Sequence, residues 1–171
     1  IGFVFYKIAF GLLSVLLPLY ITQTVSQVSL VVWGIFTATA TFLAIPFAFL
    51  WGYLCDTTQR YRFFILMSFA TVTVLLYIFS LTTNLLMLGV LYALIVIFEV
   101  AHEPPKNVLI AETYSHKEWK HGFASYEAWT ELGWVVGLLS GFLLAALSLG
   151  NSTMLLISVF FSFISFIATA I

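Results

Sequence analysis

The segment GYLCDTTQRYR, from Gly52 to Arg62, separates two long apolar runs of the sequence. It holds the first dense group of charges in the chain, the acid Asp56 and the bases Arg60 and Arg62. Charged side chains at the centre of a bilayer are costly, so a polar segment between two membrane-length runs must lie at a water interface. The segment therefore predicts where the chain turns back and, through its arginines, on which side of the membrane it turns.

The composition is typical of an integral membrane protein. Of the 171 residues, 63% are hydrophobic and 8% are charged, whereas soluble domains have about 45–50% apolar and about 25% charged residues. The formal net charge of −1 gives no support to a nucleic-acid partner. A single cysteine, Cys55, cannot form an internal disulfide.

Six apolar runs are long enough to cross a bilayer, which takes roughly 20 helical residues. We expect spans at residues 1–21, 28–54, 63–81, 85–111, 122–149 and 153–171. A β-barrel would need short alternating segments, which the sequence lacks. The predicted fold is an all-α membrane bundle of six transmembrane helices, and because both ends fall inside apolar runs we expect the chain to be part of a longer protein.

The basic residues predict the orientation. Arg60 and Arg62 lie in the second link between spans, and Lys106, Lys117 and Lys120 lie in or beside the fourth. Because cytoplasmic loops carry the excess of Lys and Arg, we expect both links and the N-terminus on the cytoplasmic side. The predicted location is the cell membrane, with the chain crossing it several times.

The first and fourth spans share unusual features that favour an internal repeat. Pro18 lies in the first span, and Pro104 and Pro105 lie in the fourth; both spans also carry ionisable residues. Weak correspondences of this kind are typical of inverted repeats in transporters. A 3+3 inverted-repeat bundle is therefore predicted.

The polar segment also carries a family resemblance. Gly52, Leu54, Asp56 and Arg60 have the order and spacing of the loop between the second and third helices of the major facilitator superfamily, which the chain resembles. Thr57 stands where that loop has its first base, Gln59 stands at its second glycine, and Tyr61 interrupts its basic pair. Three more stretches are similar to the family: Leu16-Leu17-Pro18, residues 120–124, and the glycines Gly133, Gly137 and Gly141. The intramembrane arginine often found in the family's fourth helix is missing.

The resemblance implies the N-terminal half of a transporter built from two six-helix halves. In such a transporter a small solute binds between the halves, which rock to expose it to each side in turn. The resemblance also implies a gating loop formed by Gly52, Asp56, Arg60 and Arg62, with Arg60 holding the acid. The alternative is a solvated loop that only sets the topology. The implied partners are a small-molecule substrate, protons, the lipid bilayer and a second six-helix half.

Glu99 is the most informative ionisable residue, because it lies about half-way along the fourth span. An acid there is costly unless it is paired, protonated or facing water, so a functional role is the default hypothesis. Glu103 and Lys106 follow at i+4 and i+7 on the same helical face, with His102 one step aside. In the alternative interpretation the span ends near Ala101, and the whole group is interfacial with no role in transport.

A second acidic pair, Glu127 and Glu131, shares one face of the fifth span, with Trp134 on the next turn. Glu131 is either a proton or cation site at the cytoplasmic end of a cavity or a paired acid at the interface, and for Glu127 we expect the interfacial role. Lys7 either extends its amine to the cytoplasmic surface or lies deeper and pairs with Glu99 or Glu131.

Two further patterns predict helix packing and depth. Gly133, Gly137 and Gly141 recur every four residues, which indicates the close approach of another helix. Three tryptophans are expected to anchor the chain at the membrane interfaces: Trp33, Trp51 and Trp119.

The resemblance implies a secondary transporter of a small solute, and the ionisable residues within its spans favour proton coupling. Glu99 is the expected coupling residue, supported by Lys7, His102, Glu103, Glu131 and Trp134. The alternative is a six-helix half that pairs with a second copy, or a non-transporting membrane subunit.

Enzymatic activity, a metal and a cofactor are not expected. His102 lacks the second histidine that a zinc-protease motif needs four residues later. Ser140-Gly141 lacks the sequence setting of an intramembrane serine protease.

Overall fold

The computed structural model describes residues 2–24, 30–147 and 151–171 of the chain. These residues form seven α-helices: α1 Gly2–Thr24, α2 Leu30–Thr58, α3 Tyr61–Leu81, α4 Leu85–Glu99, α5 Glu103–Thr113, α6 Trp119–Ala146 and α7 Asn151–Ala170. A 3-10 turn, Val100–His102, joins α4 to α5. The predicted bounds at residues 1, 28 and 149 lie outside the described residues.

Six helical segments in the described ranges are long and apolar enough to cross a membrane, and these ranges contain no strand. The fourth segment, Leu85–Thr113, includes α4, the 3-10 turn and α5. The predicted all-α bundle with six spans is therefore confirmed.

The polar link between the second and third spans is shorter than predicted. α2 continues to Thr58 and α3 begins at Tyr61, so only Gln59 and Arg60 lie between them. The hydroxyls of Thr57 and Thr58 donate hydrogen bonds to carbonyl oxygens of their own helix, at 2.9 and 2.7 Å, and so keep the threonines in its last turn. Asp56 is therefore helical and does not lie in the link.

Gln59 makes the turn between α2 and α3 in the left-handed region, with φ of 55°. A side chain in that region costs about 1–2 kcal/mol, which is why glycine is common there. The Gln59 Nε2 donates to the Asp56 carbonyl oxygen at 2.8 Å, and the Tyr61 hydroxyl donates to Gln59 Oε1 at 2.6 Å. These bonds offset the strain, so two residues that depart from the family loop support the same turn together.

The packing of the spans has internal symmetry. The first span contacts the second, fifth and sixth; the fourth contacts the fifth, second and third; and the third contacts the sixth. Exchanging spans one to three with spans four to six leaves this set of contacts unchanged. Because successive spans alternate in direction, the first and fourth run in opposite directions. This pattern is the one that a 3+3 inverted repeat produces.

α1 and α6 approach each other closely where glycines line the contact. A Cβ added at Gly137 would overlap the carbonyl oxygen of Ile8, and one at Gly133 would lie 2.8 Å from the carbonyl oxygen of Val4. On the opposite helix, a Cβ at Gly11 would overlap the carbonyl oxygen of Trp134. The predicted packing role of the α6 glycines is confirmed.

This contact predicts a strong difference between two glycine substitutions. Gly137→Ala forces α1 and α6 apart and should cost about 1–3 kcal/mol, as overpacking does. Gly34→Ala is the matched control, because a Cβ at Gly34 meets no atom within 4 Å and alanine favours a helix by about 1 kcal/mol. In thermal unfolding of the purified protein, Gly137→Ala should lower the midpoint and Gly34→Ala should leave it equal or higher. Equal midpoints for the two variants would contradict the close contact.

Candidate functional site

The fourth span is broken near its middle. α4 ends at Glu99, and α5 begins at Glu103 with Pro104 and Pro105 in its first turn. Prolines have no backbone N–H, so the carbonyl groups four residues earlier lose their α-helical donors. The N–H of Glu103 donates instead to the carbonyl oxygen of Val100, three residues back, which closes the 3-10 turn.

Side chains donate to the carbonyl groups before the turn. Three consecutive carbonyl oxygens accept such bonds: Ile97 from Trp51 Nε1 at 2.9 Å, Phe98 from Ser68 Oγ at 2.7 Å, and Glu99 from His102 Nδ1. Trp51 belongs to α2 and Ser68 to α3, so two neighbouring helices bond to the break. The indole of Trp51, which was expected at a membrane interface, bonds to the fourth span.

Glu99 lies at the break, midway along the 29 residues from Leu85 to Thr113. Its side chain is partly buried, and no described residue forms a hydrogen bond or an ion pair with its carboxylate. Lys7, His102 and Lys106 are close enough to act on the carboxylate through space. Glu99 is thus an acid at mid-span without a bonded cation.

The predicted common face of Glu99, Glu103 and Lys106 is interrupted at the turn. Each residue of a 3-10 turn rotates the chain by about 120° instead of about 100°, so three such residues rotate α5 by about 60° relative to a continuous helix. Glu103 and Lys106 bond to each other, and Glu99 bonds to neither of them in the described structure. The 3-10 turn therefore separates the acid from the two residues that the α-helical spacing placed beside it.

Lys106 is the centre of a charged cluster between α5 and α6. Its side chain is only 6% exposed; Nζ donates to Glu103, lies 3.5 Å from Glu127 Oε1, and stands 4.9 Å above the ring centre of Tyr126. His102 Nε2 lies 3.3 Å from Glu103 Oε1. Glu127, for which the interfacial role was expected, contacts Lys106. Lys106, Glu127 and Tyr126 were not among the residues predicted for substrate binding or proton coupling.

Lys7 and Glu131 form a second ionic contact, between α1 and α6. Lys7 Nζ lies 3.6 Å from Glu131 Oε1, so the structure brings Lys7 to one of its two predicted partners. Trp134 lies one turn further along α6, where its carbonyl oxygen occupies the space beside Gly11. The backbone of Trp134 therefore contributes to helix packing next to this ion pair.

A cavity of about 760 Å³ opens between the start of α1, the end of α5 and the start of α6. Aromatic rings dominate its wall, and its lining includes Phe3, Phe5, Tyr114, Tyr126 and Trp129. A smaller cavity of about 150 Å³ shares Phe3, Tyr114 and Tyr126 and reaches Lys106. The larger cavity has the size of a small-molecule site and adjoins the Lys106 cluster.

The residues of the predicted gate are not joined to one another. Gly52 lies within α2 and faces Pro104, whose Cγ would lie 3.9 Å from a Cβ at Gly52. Asp56, Arg60 and Arg62 are exposed, and in the described part of the chain no ion pair includes any of them. The expected contact in which Arg60 holds Asp56 is therefore absent from the described structure, where Asp56 lies within α2 and Arg60 lies after its end.

Metal ligation finds no support in the described ranges, where no three His, Cys, Asp or Glu side chains group in a way that could hold an ion. No curated protein and no solved structure matches the chain. A family model described as Major Facilitator Superfamily matches residues 1–171. The chain therefore belongs to the major facilitator superfamily, whose members are integral membrane proteins that transport small molecules.

Proposed function

We propose that the chain is the N-terminal half of a proton-coupled secondary active transporter that works by alternating access. The observation that carries the proposal is Glu99, an acid midway along the fourth span with no bonded cation among the described residues. An unpaired carboxylate at that depth is costly. It avoids the cost by taking a proton or by meeting a cation, and a transporter can couple either event to movement.

The neighbouring charges support this division of roles. Lys7 contacts Glu131, and Lys106 contacts both Glu103 and Glu127. Breaking the contacts of Lys106 would leave its buried charge without compensation, so its contact with Glu127 is suited to holding α5 against α6. Glu99, which has no such contact, is the group that is free to exchange a proton.

The substrate is proposed to bind beside these charges. The aromatic-walled cavity between α1, α5 and α6 has the volume of a small-molecule site. It adjoins the cluster through Tyr126, whose ring faces Lys106 Nζ. A second six-helix half, in the same chain or in another copy, would close the open side.

Asp56 is proposed to act in the gate. It lies in the last turns of α2, where the partial negative charge of the helix C-terminus makes its own helix an unfavourable neighbour for a carboxylate. The exposed acid is therefore available to the N-terminus of a helix from the second half. Arg60 and Arg62 are exposed beside it and are available to acids of that half.

The proposed orientation places the second and fourth links and the N-terminus in the cytoplasm, since four of the six Lys and Arg residues lie in or beside these links: Arg60, Arg62, Lys117 and Lys120. In a Cys55→Ala background, Thr83→Cys should react with a membrane-impermeant maleimide on intact cells. His116→Cys should react only after the cells are permeabilised. Both positions are exposed in the links, so a difference in burial does not explain the result, and the reverse pattern would overturn the orientation.

The coupling role of Glu99 can be tested without knowing the substrate. Cys55, the single cysteine of the chain, is buried near the end of α2, so its alkylation by N-ethylmaleimide reports opening of that end. The alkylation rate of Cys55 is measured in the purified intact protein by peptide mass spectrometry and divided by the rate of a free thiol in the same buffer. This ratio should vary with pH by at least about fivefold, which is a typical coupling between two sites. Glu99→Gln should remove this variation, because the amide mimics the protonated acid.

Glu112→Gln is the control for that measurement. Glu112 is exposed near the end of α5, and its loss should leave the pH dependence of the Cys55 rate unchanged. If Glu99→Gln retains the wild-type dependence, Glu99 is not the coupling residue and Glu131 becomes the residue to test.

A further inference from the structure

The end of α2 contacts both sides of the break in the fourth span. Before the turn, the Trp51 N–H donates to the Ile97 carbonyl oxygen at 2.9 Å, and the indole packs on the Phe98 ring with 5.5 Å between centroids. After the turn, the next residue of α2, Gly52, faces Pro104. Two successive residues of α2 therefore bracket Glu99.

α3 supplies a second bond to the same place. Ser68 is fully buried, and its hydroxyl donates to the Phe98 carbonyl oxygen at 2.7 Å. The bonded carbonyls belong to the two residues before Glu99. Because one residue of an α-helix corresponds to about 100° of rotation, holding these carbonyls fixes the direction in which the Glu99 side chain leaves the helix.

We propose that Trp51 and Ser68 are positioning residues for the Glu99 carboxylate. They act through the backbone of the break, and neither forms a hydrogen bond with the carboxylate in the described structure. This role rests on the proposed function, because it concerns the proton site assigned there to Glu99. It also connects that site to the α2–α3 link, since a movement of the α2 end displaces the bonds that hold the break.

The charges around Glu99 come from other parts of the bundle. The titratable groups that interact with it through space are Lys7 and Tyr6 of α1, Tyr92 of α4, His102 of the turn, and Glu103 and Lys106 of α5. α2 and α3 contribute the uncharged donors Trp51 and Ser68. Removing either donor therefore changes the position of the acid and leaves the surrounding charges in place.

The test uses the purified intact protein in lipid nanodiscs, with the proton as the ligand. Trp51→Phe keeps an aromatic ring and removes the N–H, and Ser68→Ala removes the hydroxyl. Amide hydrogen exchange in the peptide 97–103 should become about 2- to 10-fold faster, as expected for the loss of one hydrogen bond. The proton titration of Glu99, followed as the infrared carboxylic-acid band that Glu99→Gln removes, should shift its midpoint by about 0.5 pH unit or more.

Matched controls come from the same two helices. Trp33→Phe removes an indole N–H from α2 that bonds to no described residue, while its ring packs on Tyr92. Ser80→Ala removes a buried hydroxyl from α3 that donates to Tyr77 of its own helix. Neither change should alter exchange in the peptide 97–103 or the titration of Glu99.

The double variant Trp51→Phe/Glu99→Gln shows whether Trp51 acts through Glu99. It should titrate as Glu99→Gln does; a further change that persists without Glu99 would overturn the positioning role. The role would also be overturned if Trp51→Phe and Ser68→Ala had the same amide exchange rates and the same Glu99 titration midpoint as the control variants. If Glu99→Gln removes no titrating group, the proposed function fails, and exchange in the peptide 97–103 then decides separately whether Trp51 and Ser68 hold the break.

Discussion

Pro104 and Pro105 bring no backbone donors into the middle of a segment that has no water to replace them, so the carbonyl oxygens of Val100 and Ala101 lose their α-helical partners. The irregular backbone at this position is where α2 and α3 bond to the fourth span. An unsatisfied carbonyl in the apolar core costs several kcal/mol. The helix responds by tightening to a 3-10 turn, and side chains of Trp51, Ser68 and His102 donate to the carbonyls before it. Hydrogen bonding that a regular helix keeps within itself here joins the fourth span to the second and third.

The same lack of water decides how the charges are arranged. Lys106 is almost fully buried, yet it meets two carboxylates and the face of an aromatic ring, and Lys7 meets Glu131. Each of these bases has a partner from a different helix, so the ion pairs also set the spacing of α5 and α1 from α6. Glu99 departs from this pattern at the point where the backbone is also irregular. Local departures of this kind are expected at functional or strained sites, which is why the proposed function centres on Glu99.

The sequence predicted the features that depend on local composition, and it was less informative where neighbouring helices decide. Apolar runs predicted six spans, and the spacing of Gly133, Gly137 and Gly141 predicted a close helix contact. The prediction that Glu99, Glu103 and Lys106 share one helical face was wrong, because α-helical spacing does not include the rotation that the 3-10 turn introduces. The contact of Lys106 with Glu127 and the bond from Trp51 to Ile97 depend on which helices are adjacent, and no spacing within one helix contains that information. The proline pair signalled an irregular backbone in the fourth span, but it did not indicate Trp51 or Ser68, because these bond to Ile97 and Phe98 and not to the carbonyls that the prolines deprive of donors.

The α2–α3 link keeps the turn geometry of the family loop, although its charged residues do not pair with one another in the described structure. Gln59 adopts the left-handed conformation at the position where the family has a glycine, and its bonds to Asp56 and Tyr61 support the turn. The departures at residues 59 and 61 therefore preserve the path of the chain. Arg60 and Asp56 are unpaired in the described structure, so an internal salt bridge does not hold this end of α2. Its contacts with the fourth span, through Trp51 and Gly52, are then a restraint on α2 near the link. In the proposed positioning role, a movement at the link would reach the region of Glu99 through these two residues.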